Sequence, residues 1–412
     1  MSDAPLVILS GPHKTVYTQP PMFVPLSYDR SFRPFLSDLA RFDSSKELED
    51  SSLYKKLKPE IDRVLSHVWH EEMTAPAAGG ADSIRAVAWN IERGIRLDEI
   101  IRTLQEHPAV ADADVLLLSE LDWGMARTGN RFVAQEIAAS LSMNYAFAPC
   151  YIALTKGAGV EKHAGGENEE SLHGNALLSR FSMHRVHSLA LPNGKDKMKG
   201  AEKRIGSQRA VIADIEHPLG MFRAVSLHLD AHSSQRHRFL QIRRVLDHLQ
   251  GLQPSLPVLI GGDWNTTTHD ASRALYSILG YCRRVLMGVR HVVANHYPYP
   301  DRWFERRLFG ELERRGYNYR DLNTPGQCTL HYNVKDLAAN LNMREWVPNW
   351  CFWFINWALE RTGGACSMKL DWFAGKQLQA VAPGLAVSDL TAGGKAISDH
   401  DPIVVSLCLR DS

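Results

Sequence analysis

Cysteine is sparse and unpatterned in this sequence, six residues in 412 with no C-x-x-C pair. That excludes a zinc-ribbon spacing and a dense disulfide framework, and predicts reduced thiols in a cytoplasmic protein. No run approaches the ~20 apolar residues that a membrane span needs, so no transmembrane segment is expected. The opening residues, MSDAPLVILSGPHK, lack the basic start and apolar core of a signal peptide. A charge excess is missing too: 47 Lys and Arg stand against 46 Asp and Glu, a formal net charge of +1. A domain built to track a nucleic-acid backbone usually carries a strong basic surplus. A general DNA or RNA binder is therefore disfavoured, while a local basic cleft stays open. No internal repeat or low-complexity block interrupts the chain.

With 44% hydrophobic and 23% charged residues, the composition is that of an ordinary soluble globular protein. Between Phe32 and Glu72, apolar residues recur at helical spacing (Phe35, Leu36, Leu39, Phe42, then Leu57, Ile61, Val64, Leu65, Val68) among many charges. The small-residue run TAPAAGGADS follows as a linker. Residues 1–80 thus read as a helical N-terminal extension packed on a main domain, residues 81–412. There IRAVAWN, DVLLLSE, NYAFAPC, NALLS, MHRVHSLAL, RAVIADI, MFRAVSLHL, LPVLIGGDWN, CSMKLDWFAG and PIVVSLCL read as strands. LDEIIRTLQEH, RFVAQEIAASLS and SQRHRFLQIRRVLDHLQ read as helices. The last sets Phe239, Ile242, Leu246 and Leu249 on one face, with Arg and His on the other. Consecutive strands with helices interspersed argue for an α/β sandwich of two packed sheets rather than a simple doubly wound sheet. Residues 266–370 are mostly helical in texture and read as an insertion or cap.

The chemical signal lies in the polar residues at the strand ends. Asn90, Glu120, His228, Asp263 with Asn265, Asp371, and Asp399 with His400 each follow or close an apolar run. Singly each has a bland reading, such as a turn residue for Asn90 or an Asx-turn for Asp-x-Asn. Together they point to one shared rim. A hard divalent cation takes oxygen ligands, one or two carboxylates with waters and phosphate oxygens. Glu120 suits that role, with Asn90 as an amide ligand or water-orienting group. Asp263 can accept a proton from an attacking water. Asn265, two residues on, faces the same side of an extended chain and can donate to phosphoryl oxygens. His400, its tautomer fixed by Asp371, can stabilise charge on a transferring phosphoryl group. His228 is placed for the leaving group or an equatorial oxygen.

These residues stand in the blocks WNIERG (89–94), LLLSELD (116–122), GNALLSR (174–180), SLHLDAHSSQRHRFLQ (226–241), GGDWN (261–265), LDW (370–372) and SDHDP (398–402). In kind and order they resemble the endonuclease/exonuclease/phosphatase superfamily, which includes deoxyribonucleases, apurinic endonucleases, neutral sphingomyelinases, inositol polyphosphate phosphatases and deadenylases. GDWN and SDHDP are the specific pair. The resemblance implies a four-layered α/β sandwich and hydrolysis of a phosphodiester or phosphomonoester. It implies magnesium as cofactor, with manganese as the alternative. Asn90, Glu120 and Asp399 fall on the metal side, His228 opposite it, and Asp263, Asn265, Asp371 and His400 at the catalytic centre. It also points to Arg209, in the QRAVIADI strand, as a substrate-binding arginine; a buried structural ion pair is the competing reading.

Several other features carry two readings. Lys195, Lys197, Lys199, Lys203 and Arg204 form either a phosphate-steering loop or a solvated hairpin tip, the tip being commoner. Arginines and aromatics interleaved over 283–320 can stack bases, but read more simply as one face of a cap helix. VPNWCFWFINWAL suggests a lipid contact or, more simply, a buried helix. His228 and His232 lie four apart, yet at a strand end they do not share a face as in H-E-x-x-H, so zinc is disfavoured. A nuclease on DNA or RNA and a phosphodiesterase on a lipid or small molecule stand nearly level, the near-neutral charge leaning against a non-specific nuclease. A non-catalytic binding module would lack a ligand or base, and here every position is filled.

Overall fold

The computed structural model describes residues 32–73, 82–231, 233–266, 274–333, 349–360 and 362–410. Its strands are β1 (Trp69–Glu71), β2 (Ile84–Arg93), β3 (Val115–Trp123), β4 (Asn144–Ala153), β5 (Leu172–Ser179), β6 (Met183–Ala190), β7 (Arg204–Gly206), β8 (Arg209–His217), β9 (Gly220–Ser226) and β10 (Val258–Asp263). β11 (Leu330–Asn333), β12 (Ala365–Met368), β13 (Asp371–Lys376), β14 (Leu378–Ala386), β15 (Thr391–Ala392), β16 (Lys395–Ala396) and β17 (Ile403–Leu409) follow. The helices are α1 (Leu36–Leu39), α2 (Ser45–Asp50), α3 (Ser52–Ser66), α4 (Leu97–Glu106), α5 (Val133–Leu141), α6 (Gln235–Gly251), α7 (Ala274–Leu286), α8 (Val289–Asn295), α9 (Pro300–Trp303), α10 (Arg306–Arg314) and α11 (Asn349–Glu360).

Eight strands form one mixed sheet in the order β1-β4-β5-β3-β2-β17-β14, with β7 also on β4. The second sheet has five strands in the order β13-β10-β9-β8-β6. The parallel pairs β2–β3 and β9–β10 run as near-continuous apolar strands because both their faces are covered. Between the sheets Ile84, Ala86, Val115 and Leu117 meet Val211, Phe222, Leu259 and Phe373. On the outer face of the first sheet lie α3, α4 and α5, through residues such as Ile61, Val64, Ile100 and Ile137. On the outer face of the second, α6 and α10 bring Ile242, Val245, Leu308 and Leu312. The layers are helix, sheet, sheet, helix, the α/β sandwich expected.

Residues 32–66 are mostly helical and share the core of the first sheet, and β1 pairs antiparallel with β4. Ser44 and Ser51 cap α2 and α3, each accepting from the backbone N–H three residues on. Part of the lysine loop before β8 is tied down by the protein's own groups. Lys203 Nζ donates to the Ala40 and Phe42 carbonyls and pairs with Asp43, Asp196 accepts from Ser45, and Lys197 pairs with Asp230. Lys203 and Asp196 thus bind the loop to residues 40–45.

Helix α6 departs from its expected pattern. Arg238 is fully buried because Glu305 pairs with it at 2.5 Å, while Phe239 is half-buried under the guanidiniums of Arg243 and Arg307. In α11, expected as a buried helix, Trp353 and Trp357 are 66% and 43% exposed. Among its described side chains Leu359 is buried in a small cluster with Tyr332 and Cys366, and Ala358 is also buried. In the arginine-rich segment, Arg302 lies over Tyr299 and Arg320 over Tyr319, so these aromatics are occupied by the chain's own cations. The five described cysteines are free thiols, and no described helix is long and apolar enough to cross a membrane. His232 lies outside the described residues.

Candidate active site

The catalytic candidates arrive from both sheets at one end of the sandwich. β2 and β3 run in parallel, so Asn90 and Glu120 leave adjacent strands at the same edge. β10 ends in Asp263, whose register partner on antiparallel β13 is Asp371. His400 precedes β17, the neighbour of β2, and its carbonyl accepts from Trp89 Nε1 at 2.8 Å. Ser398 Oγ donates to the Asn90 carbonyl at 2.7 Å, tying the SDHDP turn to the WNIERG turn.

Asp263 Oδ2 is the focus. It lies 3.1 Å from Asn90 Nδ2, 3.2 Å from Asn265 Nδ2, 3.5 Å from His228 Nε2 and 3.8 Å from His400 Nε2. Its other oxygen accepts the Asn265 backbone N–H at 2.9 Å. The Asn265 amide is thus spent on Asp263 and on the Leu229 carbonyl, which makes it a carboxylate holder. Asn90 is also fully engaged: Nδ2 reaches Glu120 Oε1 at 3.2 Å as well as Asp263, and Oδ1 accepts the Glu92 N–H. His400 Nδ1 meets Asp371 Oδ2 at 2.8 Å, and the same oxygen accepts from Thr329 Oγ1 at 2.6 Å.

The backbone is bent to aim these groups. Glu92, Arg93, Glu120 and Asn265 have φ of +46°, +66°, +58° and +51°, a region that costs a side chain-bearing residue about 1–3 kcal/mol. The β2–β3 ladder slips between Asn90 and Arg93, and the β3–β5 ladder between Leu118 and Leu121. Such bulges re-aim side chains beside active sites. Four of the ten non-glycine residues with positive φ among the described residues thus gather around this one cleft.

The electrostatics divide the cleft into a floor and a mouth. On the floor, Asn90, Asp263, Asp371, His228 and His400 are buried. Burial opposes a charge on His400, but Asp371 and Asp263 outweigh it and hold the imidazole protonated well above its ordinary range. Burial pushes the Asp263 carboxyl up, with Asp371 adding to it and His400 and His228 opposing. At the mouth stand Glu92, Glu120 and Asp399. Burial and then Asp399 push Glu92 up to about 8. Desolvation, Glu120 and Asp371 raise Asp399 against His400 and Arg93; because Asp399 reaches solvent, carboxylate repulsion is the firmer cause. Burial works against Glu120 too, yet Arg93, His228, His173 and the Asn90 amide hold its carboxyl well below the usual range.

Of the residues named from sequence, Asn90, Glu120, His228, Asp263, Asn265, Asp371, Asp399 and His400 meet in this cleft. Among the described residues the Arg209 side chain makes no hydrogen bond or ion pair to them: its Nε donates to Ser188 Oγ at 2.9 Å. Glu92, Arg93 and Thr329 were not anticipated. The Glu-Arg-Gly that follows Asn90 signals a left-handed turn able to re-aim two charges. Thr329, within residues 266–370, has no such signal.

A sequence model described as the Endonuclease/Exonuclease/phosphatase family matches residues 87–400. The chain belongs to this family, whose members are hydrolases acting on phosphoester bonds. Among solved structures, an endonuclease/exonuclease/phosphatase from Beutenbergia cavernae is 16% identical, with 80% of this chain and 72% of that one covered and a TM-score of 0.48. The human Nocturnin catalytic domain is 16% identical over 79% and 93% of the two chains, with a TM-score of 0.43. The 3'-5' exonuclease NExo from Neisseria meningitidis is 15% identical over 79% and 100%, with a TM-score of 0.45. Comparison with curated proteins finds no match.

Proposed function

We propose that the protein hydrolyses a phosphodiester or phosphomonoester with a water activated by Asp263, beside a divalent cation, in the first instance magnesium. The observation that carries this reading is the convergence of Asn90, Asn265, His228 and His400 on one oxygen of Asp263. The mouth fits a hard cation: Glu92, Glu120 and Asp399 offer carboxylate oxygens whose mutual repulsion a cation relieves. Asp263, Asp371 and His400 offer the tighter trio, with ligand atoms all within 4.8 Å. We assign that trio to proton chemistry, because His400 is held protonated and an imidazolium has no lone pair to coordinate with. When bound, such a cation polarises the phosphoryl oxygens and acidifies a bound water.

Asp263 takes the proton of the attacking water. Its raised proton affinity makes it a stronger base than an exposed aspartate, and the Asn265 amide and backbone N–H fix its plane. His400, cationic and locked through Nδ1 to Asp371, turns Nε2–H toward the Asp263 side, where charge grows on the phosphoryl group. His228 Nε2, 3.5 Å from Asp263 and 3.9 Å from Glu120, spans floor and mouth and donates to a phosphoryl or leaving oxygen.

The test is a magnesium-dependent screen of a bis-aryl phosphodiester, plasmid DNA, RNA, sphingomyelin and inositol phosphates, with Asp263→Ala in parallel. At least one substrate is expected to turn over, and the variant to lose about 10²–10⁴-fold. Equal turnover by the variant sinks the assignment.

A further inference from the structure

The turn that closes β2 carries a charge that the proposed chemistry does not use. Arg93 is in register with Leu121, so it stands beside Glu120, and its φ of +66° turns its side chain out of the strand alternation. Its Nη1 lies 3.2 Å from Glu161 Oε1. Glu161 is in turn fixed by Arg127 Nη1 at 2.8 Å, and Arg127 is buried between Asp122, at 2.7 Å, and Glu202, at 3.2 Å. Arg93 is therefore clamped from behind by a carboxylate that cannot drift.

In front of it lies the mouth. Arg93 directly follows Glu92, and its strand partner Leu121 directly follows Glu120; of the three carboxylates its charge bears most on Glu120, which His228 and His173 also face, while His400 faces Asp399. Three carboxylates crowded at a partly desolvated cleft are costly without counter-charge. A guanidinium is charged at every accessible pH and delocalised, so it fills that role permanently. Hydrolytic centres in which two metal ions share a carboxylate cage meet the same requirement with a second ion.

We propose that Arg93, braced by Glu161, is a built-in counter-cation of the carboxylate mouth. It takes the charge role of a second metal ion, so that the site holds a single divalent cation more weakly than its carboxylates alone would. The inference rests on the cation reading of the mouth given above. Arg93 is thus a positioning and affinity-setting residue.

The test is calorimetric titration of manganese and magnesium chloride into the full chain without substrate, with Tm recorded before titration. Wild type is expected to bind one ion per chain. Arg93→Met is expected to bind it about tenfold tighter or more, since a unit charge a few ångströms away is removed; Arg93→Lys stays within about threefold of wild type. Glu161→Gln is expected to weaken binding several-fold, because the whole Arg93 charge then falls on the mouth. Two ions per wild-type chain, or an Arg93→Met protein of unchanged Tm that binds no tighter, overturns the proposal. Should Arg93→Met unfold, Glu161→Gln decides alone, and unchanged or tighter binding overturns it. Glu120→Gln separates the two readings: if it binds as wild type, or wild type binds nothing, the cation reading fails and this one falls with it.

Discussion

Asp371 shows how much one buried oxygen can be asked to do. Its Oδ2 accepts from both His400 Nδ1 and Thr329 Oγ1, and the residue is fully buried. Asp371→Asn keeps the shape but removes the largest of the charges that hold His400 protonated. We expect kcat on a bis-aryl phosphodiester to fall about 10²–10⁴-fold with Tm little changed, since electrostatic stabilisation of the transition state is lost. A variant within about threefold of wild type would show that His400 does not act as a cation. Thr329→Val removes one of the two donors and leaves the shape nearly intact. The expected cost is about 1–3 kcal/mol in chemical denaturation, with a smaller loss of kcat than Asp371→Asn; a neutral result would mean that water replaces the hydroxyl.

At the scale of elements, β10 is where packing and chemistry meet. A Cβ on Gly262 would run into the Leu227 carbonyl, and its φ is +139°, so only glycine lets β9 and β10 approach closely enough to deliver Asp263. Gly262→Ala is expected to cost more than about 3 kcal/mol in denaturation; an unchanged midpoint would refute that packing. The site positions were readable from the sequence because Asn90, Glu120 and Asp263 break apolar runs, and the two-residue period fixes which side chains share a face; the strand ends were not, since β2 and β3 continue to Arg93 and Trp123 and Asp371 opens β13. What escaped depended on geometry that no period encodes. Glu92 and Arg93 reach the cleft only through consecutive left-handed residues. Thr329 comes from 42 residues before its partner Asp371. Arg238 was placed on the polar face because its buried partner, Glu305, lies 67 residues away. Local patterning reports the scaffold well and says little about pairings across it.

For the whole molecule, the pH dependence follows from groups whose proton affinity is raised on folding. Glu92 is lifted from its ordinary 4.5 to about 8 by burial and Asp399, and Asp371 and Asp263 hold His400 protonated well above its ordinary range. A raised value means that the stability linked to that proton is complete below the unfolded value and is lost as pH rises through the folded one. For Glu92 that window runs from 4.5 to about 8, and His400 adds in the same direction above 6.5. Without divalent cations, Tm is therefore expected to fall between about pH 5 and pH 8.5, and magnesium to restore more of it at the alkaline end. Scanning calorimetry with chelator and with magnesium checks this, and a flat cation-free profile contradicts it.

The three-residue strand β1 has a wider consequence. It covers β4 at Tyr145, Ala146 and Phe147, in a strand whose ten residues are all buried. A shortened chain starting at Asp82 would bare those backbone N–H and C=O groups as a template for other copies. Such a chain should self-associate into edge-paired aggregates, so the first residues of any workable fragment are dictated by solubility rather than by the catalytic cleft.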